Sequence, residues 1–275
     1  MRGVADRRGA RHLTPVPLNI RTYHQLTEPD RSALPEQIGA QRRRVAERLA
    51  TVRRVVAVMS GKGGVGKSFV TAGLARALAR QGRATGVLDA DFNGPTAARL
   101  LEARDARVRV GEDAVYPTVG TDGVKLLSMD QLLEDGQPLG FRGPEAESFV
   151  WRGTLEAATL REFLSDVAWG ALDQLFVDLP PGMQRFAELM ELVPHAPAVL
   201  TVTIPTVESR DAVRRAMRLA VDHGAPLLGI IENMAGGPLT GSAAADLSAE
   251  FGVPVLARIP WHPGAEIWDR LAERL

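Results

Sequence analysis

SGKGGVGKS, residues 60–68, constrains the fold of this chain more than any other stretch of it. Gly61, Lys62, Gly63, Gly64, Val65, Gly66, Lys67 and Ser68 satisfy G-x-x-x-x-G-K-[ST] in full. The apolar run VVAVMS leads into the motif, and FVTAGLARALA, with helical periodicity, leads out. That strand–loop–helix context is what a phosphate-binding loop requires. Glycines let the backbone curl so that its N–H groups point at phosphate oxygens, and the helix N-terminus adds its positive end. Lys67 then reaches the β/γ phosphates and the Ser68 hydroxyl ligates Mg²⁺. Lys62 is a second lysine with no task in that scheme.

Beyond the loop, short β-rich runs alternate with helical segments: ATGVLDAD, VKLLSM, TLEAATLREFL, LDQLFVDLP, AVLTVTIP, a helix over residues 207–221, LLGIIEN and VPVLARIP. Apolar runs bounded by Gly and Pro and separated by helices indicate βα units around a buried parallel sheet. The expected fold class is α/β: a doubly wound, mainly parallel sheet with helices on both faces. Residues 53–275 read as this P-loop domain. Residues 31–52, with Ile38, Val45, Leu49 and Val52 near one helical face, read as a lead-in helix. Residues 1–30, rich in arginine and without apolar periodicity, read as an unstructured basic arm.

Two acidic stretches complete a nucleotide site. VLDADFNGP leaves Asp89 and Asp91 at the carboxyl end of one strand, and LFVDLPPG leaves Asp178 at the end of another. Ligands of open α/β sheets bind beyond those ends, so the acids can converge there. Asp91 is assigned to positioning the attacking water, and Asp178 and Asp89 to the Mg²⁺ shell.

Composition excludes several functions. The 275 residues include no cysteine, so disulfides and cysteine-ligated clusters are ruled out in this chain alone. Formal net charge is zero, which gives no global pull toward nucleic acid. No long apolar run suggests a membrane span or leader, and a cytoplasmic protein is expected. His195, His223 and His262 lack metal spacing and read as surface histidines. The amphipathic AEIWDRLAERL, with Ile267, Leu271 and Leu275 on one face beside Trp268, is expected to dock on the protein's own sheet rather than on lipid.

With these residues placed, the chain resembles the deviant-Walker ATPases, which include the MinD and ParA ATPases and the Mrp-type iron–sulfur carriers. The first lysine of KGGVGKS is their mark, and the resemblance implies that Lys62 crosses a two-fold interface to the other subunit's nucleotide. The Mrp branch is most similar, through SGKGGVGKS, DADFNGP, FVWRGTLEAATLREFL, WGALDQLFVDLPPG, LLGIIENM and FGVPVLARIP. It implies ATP and Mg²⁺ as cofactors, a homodimer, a protein partner in cofactor assembly, and Asn233 on the adenine base. The chain also departs from the pattern. Gly236-Gly237-Pro238 stands where the branch carries a Cys-Pro-x-Cys pair, Met183-Gln184-Arg185 replaces Thr-Gly-Asp after DLPPG, and Thr154 replaces the proline of WRGP. Two functions follow from the resemblance: an Mrp-like ATPase in iron–sulfur handling that holds no cluster itself, or a ParA/MinD-like switch whose ATP-bound dimer binds a partner, DNA or membrane.

Overall fold

Alternation along the central strands dictates the layering. In β1 (Val55–Ser60), Val56 and Val58 face one helical layer while Ala57 and Met59 face the other, and all four are buried. A strand apolar on both faces is stable only when helices cover both. The computed structural model describes residues 34–132, 148–239 and 241–275, of which residues 38 onward belong to one compact unit. The basic arm, residues 1–30, lies outside the described residues.

The remaining strands are, in chain order, β2 (Thr85–Asp89), β3 (Arg109–Val110), β4 (Val115–Tyr116), β5 (Thr118–Val119), β6 (Lys125–Leu127), β7 (Gln174–Asp178), β8 (Ala198–Thr203), β9 (Leu227–Ala235) and β10 (Val255–Pro260). Eight of the strands form one sheet in the order β10-β9-β8-β1-β7-β2-β6-β5. Every pairing in it is parallel except that of β5 with β6, and β3 pairs β4 as a separate hairpin. One margin of the sheet therefore ends in a strand of two residues. At the other, β10 pairs β9 with register shifts on either side of Ala257–Arg258 and ends at Pro260.

Helices α1 (Leu34–Leu49), α2 (Lys67–Arg80), α3 (Ala97–Leu100), α4 (Ser148–Asp166), α5 (Gln184–Leu192), α6 (Val207–Asp222), α7 (Ala243–Phe251) and α8 (Ala265–Ala272) complete the described elements. Val45 and Leu49 of α1 join Leu160 and Leu164 of α4, Phe186 and Leu189 of α5 and Ala216 of α6 over one face. Val70, Leu74 and Leu78 of α2 join Ala97 and Ala98 of α3 and Leu271 of α8 over the other. The doubly wound sheet expected from the sequence is therefore the observed architecture. Among the described residues no helix is long and apolar enough to cross a membrane. His195, His223 and His262 are exposed and far apart in the sequence.

The C-terminal helix does dock on the protein, but its principal seat is α2, not the sheet. Trp268 meets Phe69 edge-to-face with ring centroids 5.4 Å apart. It also covers Gly73, where a Cβ would come within 2.8 Å of the indole. A glycine in mid-helix is unfavourable by itself, and here it makes room for the ring. Truncating a buried tryptophan typically costs about 3 kcal/mol or more. Trp268→Ala is expected to lose about 3 kcal/mol of stability, read as a lowered urea midpoint with an unchanged denaturant slope.

Candidate active site

The loop between β1 and α2 is shaped by close approach. Gly61 lies against α6, so that a Cβ there would stand 2.3 Å from the backbone carbon of Ala212. Gly66, the N-cap of α2, is left-handed at φ 78°, and a Cβ on it would come within 2.2 Å of Asn233 Nδ2. Asn233 is buried within β9 and donates Nδ2 to the Val65 carbonyl at 2.9 Å. Ser60 Oγ donates to the Lys62 carbonyl at 3.1 Å. The loop is thus fixed from α6, from β9 and from its own base, with the N-terminal N–H groups of α2 left to face a ligand.

Lys67 is only 6% exposed, and its ammonium donates to Asp178 Oδ1 at 2.5 Å. Thr71, one turn along α2, places Oγ1 3.2 Å from the same carboxylate oxygen and 3.0 Å from the Lys67 carbonyl. Asp178 is fully buried, and its Oδ2 has no hydrogen-bond partner among the described residues. A buried carboxylate oxygen left in that state is open to a cation or a cation-bound water.

Asp89 stands opposite Asp178 in the β2–β7 register. Its Oδ2 accepts from Thr96 N and Ala97 N, both at 3.0 Å, and from Ser128 Oγ at 3.1 Å, while Oδ1 accepts from Asp91 N at 3.2 Å. Both oxygens therefore serve the chain that follows β2. Burial, reinforced by the Asp178 charge, pushes the Asp89 carboxyl up to about 7, against the pull of those donors and of Lys67. Asp91 is half-buried; burial raises it too, while the Lys67 charge and the N–H groups of Gly94 and Asn93 favour its charged form.

Lys67 and Asp91 line a cleft of about 410 Å³, together with Lys62, Ser68, Arg99, Pro181 and others. That volume suits a small-molecule ligand. The structure thus brings together Lys62, Lys67, Ser68 and Asp91 around one cleft, with Asp178 bonded to Lys67 behind it. Asn233 sits at the flank of the loop. Sequence reasoning passed over Thr71, Thr96 and Ser128. Thr71 lies four residues after Lys67 and so on the same helical face, a spacing that could have found it. Ser128 reaches Asp89 only through the placement of β6 beside β2, which has no local signal. The side chains of Trp151, Arg152 and Thr154 lie outside the described residues, although the backbone there belongs to α4.

A phosphate-shaped loop at the centre of a parallel sheet is shared by many enzymes, and comparison decides among them. The family model described as NUBPL iron-transfer P-loop NTPase matches residues 51–269. The chain belongs to this family. It is accordingly a P-loop NTPase. Similar relatives of this NTPase are an iron-sulfur cluster carrier protein of Saccharolobus solfataricus, 34% identical over 83% of this chain and 78% of the relative, and the cytosolic Fe-S cluster assembly factor NUBP2 of Bos taurus, 37% identical over 78% and 82%. A nucleotide-binding protein of Archaeoglobus fulgidus, solved in complex with ADP, superposes with a TM-score of 0.66 at 30% identity over 85% of this chain and 92% of that one. The septum site-determining protein MinD of Pyrococcus horikoshii shares the fold, with a TM-score of 0.56 at 22% identity over 80% of this chain and 94% of that one.

An acid held above its unfolded value binds its proton more tightly in the folded state. Asp89, raised from 3.8 to about 7, therefore favours folding at low pH and withdraws that contribution as pH rises through 7. The urea midpoint of the ligand-free protein is expected to fall between pH 5 and pH 8, and Asp89→Asn should flatten that slope whatever its effect on absolute stability.

Proposed function

We propose that this NTPase is a Mg²⁺-dependent, ATP-hydrolysing dimeric switch serving iron–sulfur cluster assembly without holding a cluster on thiolates of its own. The observation that carries it is the arrangement behind the loop. Lys67 is held by Asp178 Oδ1, while Oδ2 of the same carboxylate is buried and unpartnered. An entering phosphate would take the ammonium from Asp178 and leave that carboxylate free to hold a cation. Asp178 and the Ser68 hydroxyl would hold Mg²⁺, which neutralises charge on the phosphates. Asp89, whose oxygens are already engaged, contributes to that shell only by placing the 91–97 segment. Hydrolysis adds water to the γ-phosphorus and breaks its bond to the β,γ-bridging oxygen, giving ADP and inorganic phosphate. Asp91 accepts a hydrogen bond from that water and orients it. By resemblance Asn233 contacts adenine, and its bond to Val65 couples that contact to the shape of the loop.

Lys62 lines the cleft from its rim and is surplus to phosphate binding in one subunit, which suits a role across a two-fold interface. Met183, Val207 and Trp261 are exposed apolar side chains beyond the carboxyl ends of β7, β8 and β10, on the same side of the sheet as the cleft. A face of that kind fits a second copy of the chain. The relatives named as iron–sulfur carriers and assembly factors support the setting, in the cytoplasm with a protein partner. A thiolate-held cluster does not fit the residues present, since the chain has no cysteine and Gly236, Gly237 and Pro238 follow β9.

Lys67→Ala is expected to abolish Mg–ATP binding in calorimetry, and retained affinity would remove the phosphate-loop assignment. Lys62→Ala should keep affinity within about threefold while turnover per subunit loses its dependence on protein concentration; unchanged concentration dependence counts against the trans-lysine role. For the cargo, anaerobic reconstitution should leave the purified protein colourless, and a stoichiometric cluster absorbance would overturn the adaptor role. Salt-sensitive DNA binding that needs ATP would instead establish the ParA-like alternative.

A further inference from the structure

The two loops that frame the cleft meet on one carboxylate outside it. Asn93, two residues after Asp91, donates Nδ2 to Glu156 Oε1 of α4 at 2.7 Å. Arg185, in the first turn of α5 and three residues after Gly182, donates to Glu156 Oε2 at 2.5 Å. Arg185 also pairs with Glu188 on its own helix. Its side chain is 6% exposed and that of Glu156 is 12% exposed, so this ion pair is largely shielded from water, whereas Asn93 joins it from the exposed side. Phe92 adds an apolar contact along the same line, meeting Phe163 of α4 edge-to-face at 5.6 Å. No residue of this bridge lines the cleft.

The bridge reaches the reacting region through Asn93. The backbone N–H groups of Asn93 and Gly94 favour the charged form of the Asp91 carboxylate, while the Asn93 side chain is anchored on Glu156. At the other end, Arg185 fixes the start of α5, which continues directly from Pro181-Gly182-Met183, and Pro181 lines the cleft. A short charged bond in a shielded site is strong and directional, and removing one partner strands the other.

We infer that Glu156 is a positioning residue for ATP hydrolysis, clamping the Asp91 loop and the Pro181–Met183 loop to α4 in one geometry. It acts through Asn93 and Arg185 and touches no substrate. The clamp rests on the nucleotide-hydrolysing role proposed above and names its regulation: whatever moves α4 moves both loops together.

The test compares wild type with Glu156→Ala, Glu156→Gln, Asn93→Ala and the Glu156→Ala/Asn93→Ala pair, using Mg–ATP affinity by calorimetry, kcat and KM, and thermal melting to verify folding. Glu156→Ala is expected to lower kcat about tenfold, the size of a coupling of contacting groups, with affinity within about twofold. Glu156→Gln keeps an acceptor for Asn93 and should fall between Ala and wild type. Asn93→Ala should lower kcat as well and add nothing further in the Glu156→Ala background, since both changes open the same path. A loss confined to affinity, fully multiplicative effects of the two Ala variants, or wild-type kcat in folded Glu156→Ala and Asn93→Ala would each overturn the clamp. If wild type hydrolyses ATP in a Lys67-dependent manner while these variants match it, the clamp alone fails. If wild type neither binds nor hydrolyses ATP, the nucleotide role and the clamp fail together.

Discussion

A buried ammonium and a buried carboxylate, 2.5 Å apart, join the phosphate loop to the neighbouring strand. Neither Lys67 nor Asp178 would tolerate such burial alone, because an isolated charge in that interior loses several kcal/mol of hydration. Each is therefore the condition for the other's position, and much of the site is arranged to keep them together. β1 and β7 are adjacent so that the two side chains meet, Thr71 adds a hydroxyl, and Asp89 stands one strand further out. On the function proposed here, ligand entry would exchange one anion for another at the Lys67 ammonium.

Asp89 and Asp178 illustrate how environment separates chemically equal groups. Both are fully buried at the ends of adjacent strands. One has its oxygens filled by backbone and serine donors; the other gives one oxygen to lysine and leaves the second open. The first organises a loop, and the second keeps a buried oxygen unpartnered among the described residues. Sequence position gives no hint of that division, which depends on Ser128 arriving from β6 and on the turn through Thr96.

The sequence carried the fold because its signals were local: two-faced apolar strands, the glycine-rich turn and helices of regular period. Strands β1, β2, β7, β8 and β10 lie within the runs that periodicity marks. The hairpin of β3 and β4, the antiparallel β5 and helix α5 were not legible, since two-residue strands have no period and α5 begins in a loop read for its chemistry. The candidate site was legible wherever a motif named it. The bonds that hold those residues, Asn233 to Val65 and Glu156 to Asn93, span 168 and 63 positions and need the folded sheet to appear. The C-terminal helix shows the limit from another side: its amphipathic stripe announced a docking face, but only Gly73 reveals that the dock is α2.

The two margins of the sheet end in different ways. On one side β5 offers a neighbouring strand no more than two residues of backbone. On the other, β10 is out of register on both sides of its middle and finishes in a proline without an N–H. Open edges invite another chain to continue the ladder, and both of these discourage it, by shortness and by irregularity. The sheet is thus self-limiting in width. Contact between molecules is thereby kept from extending the ladder into fibres.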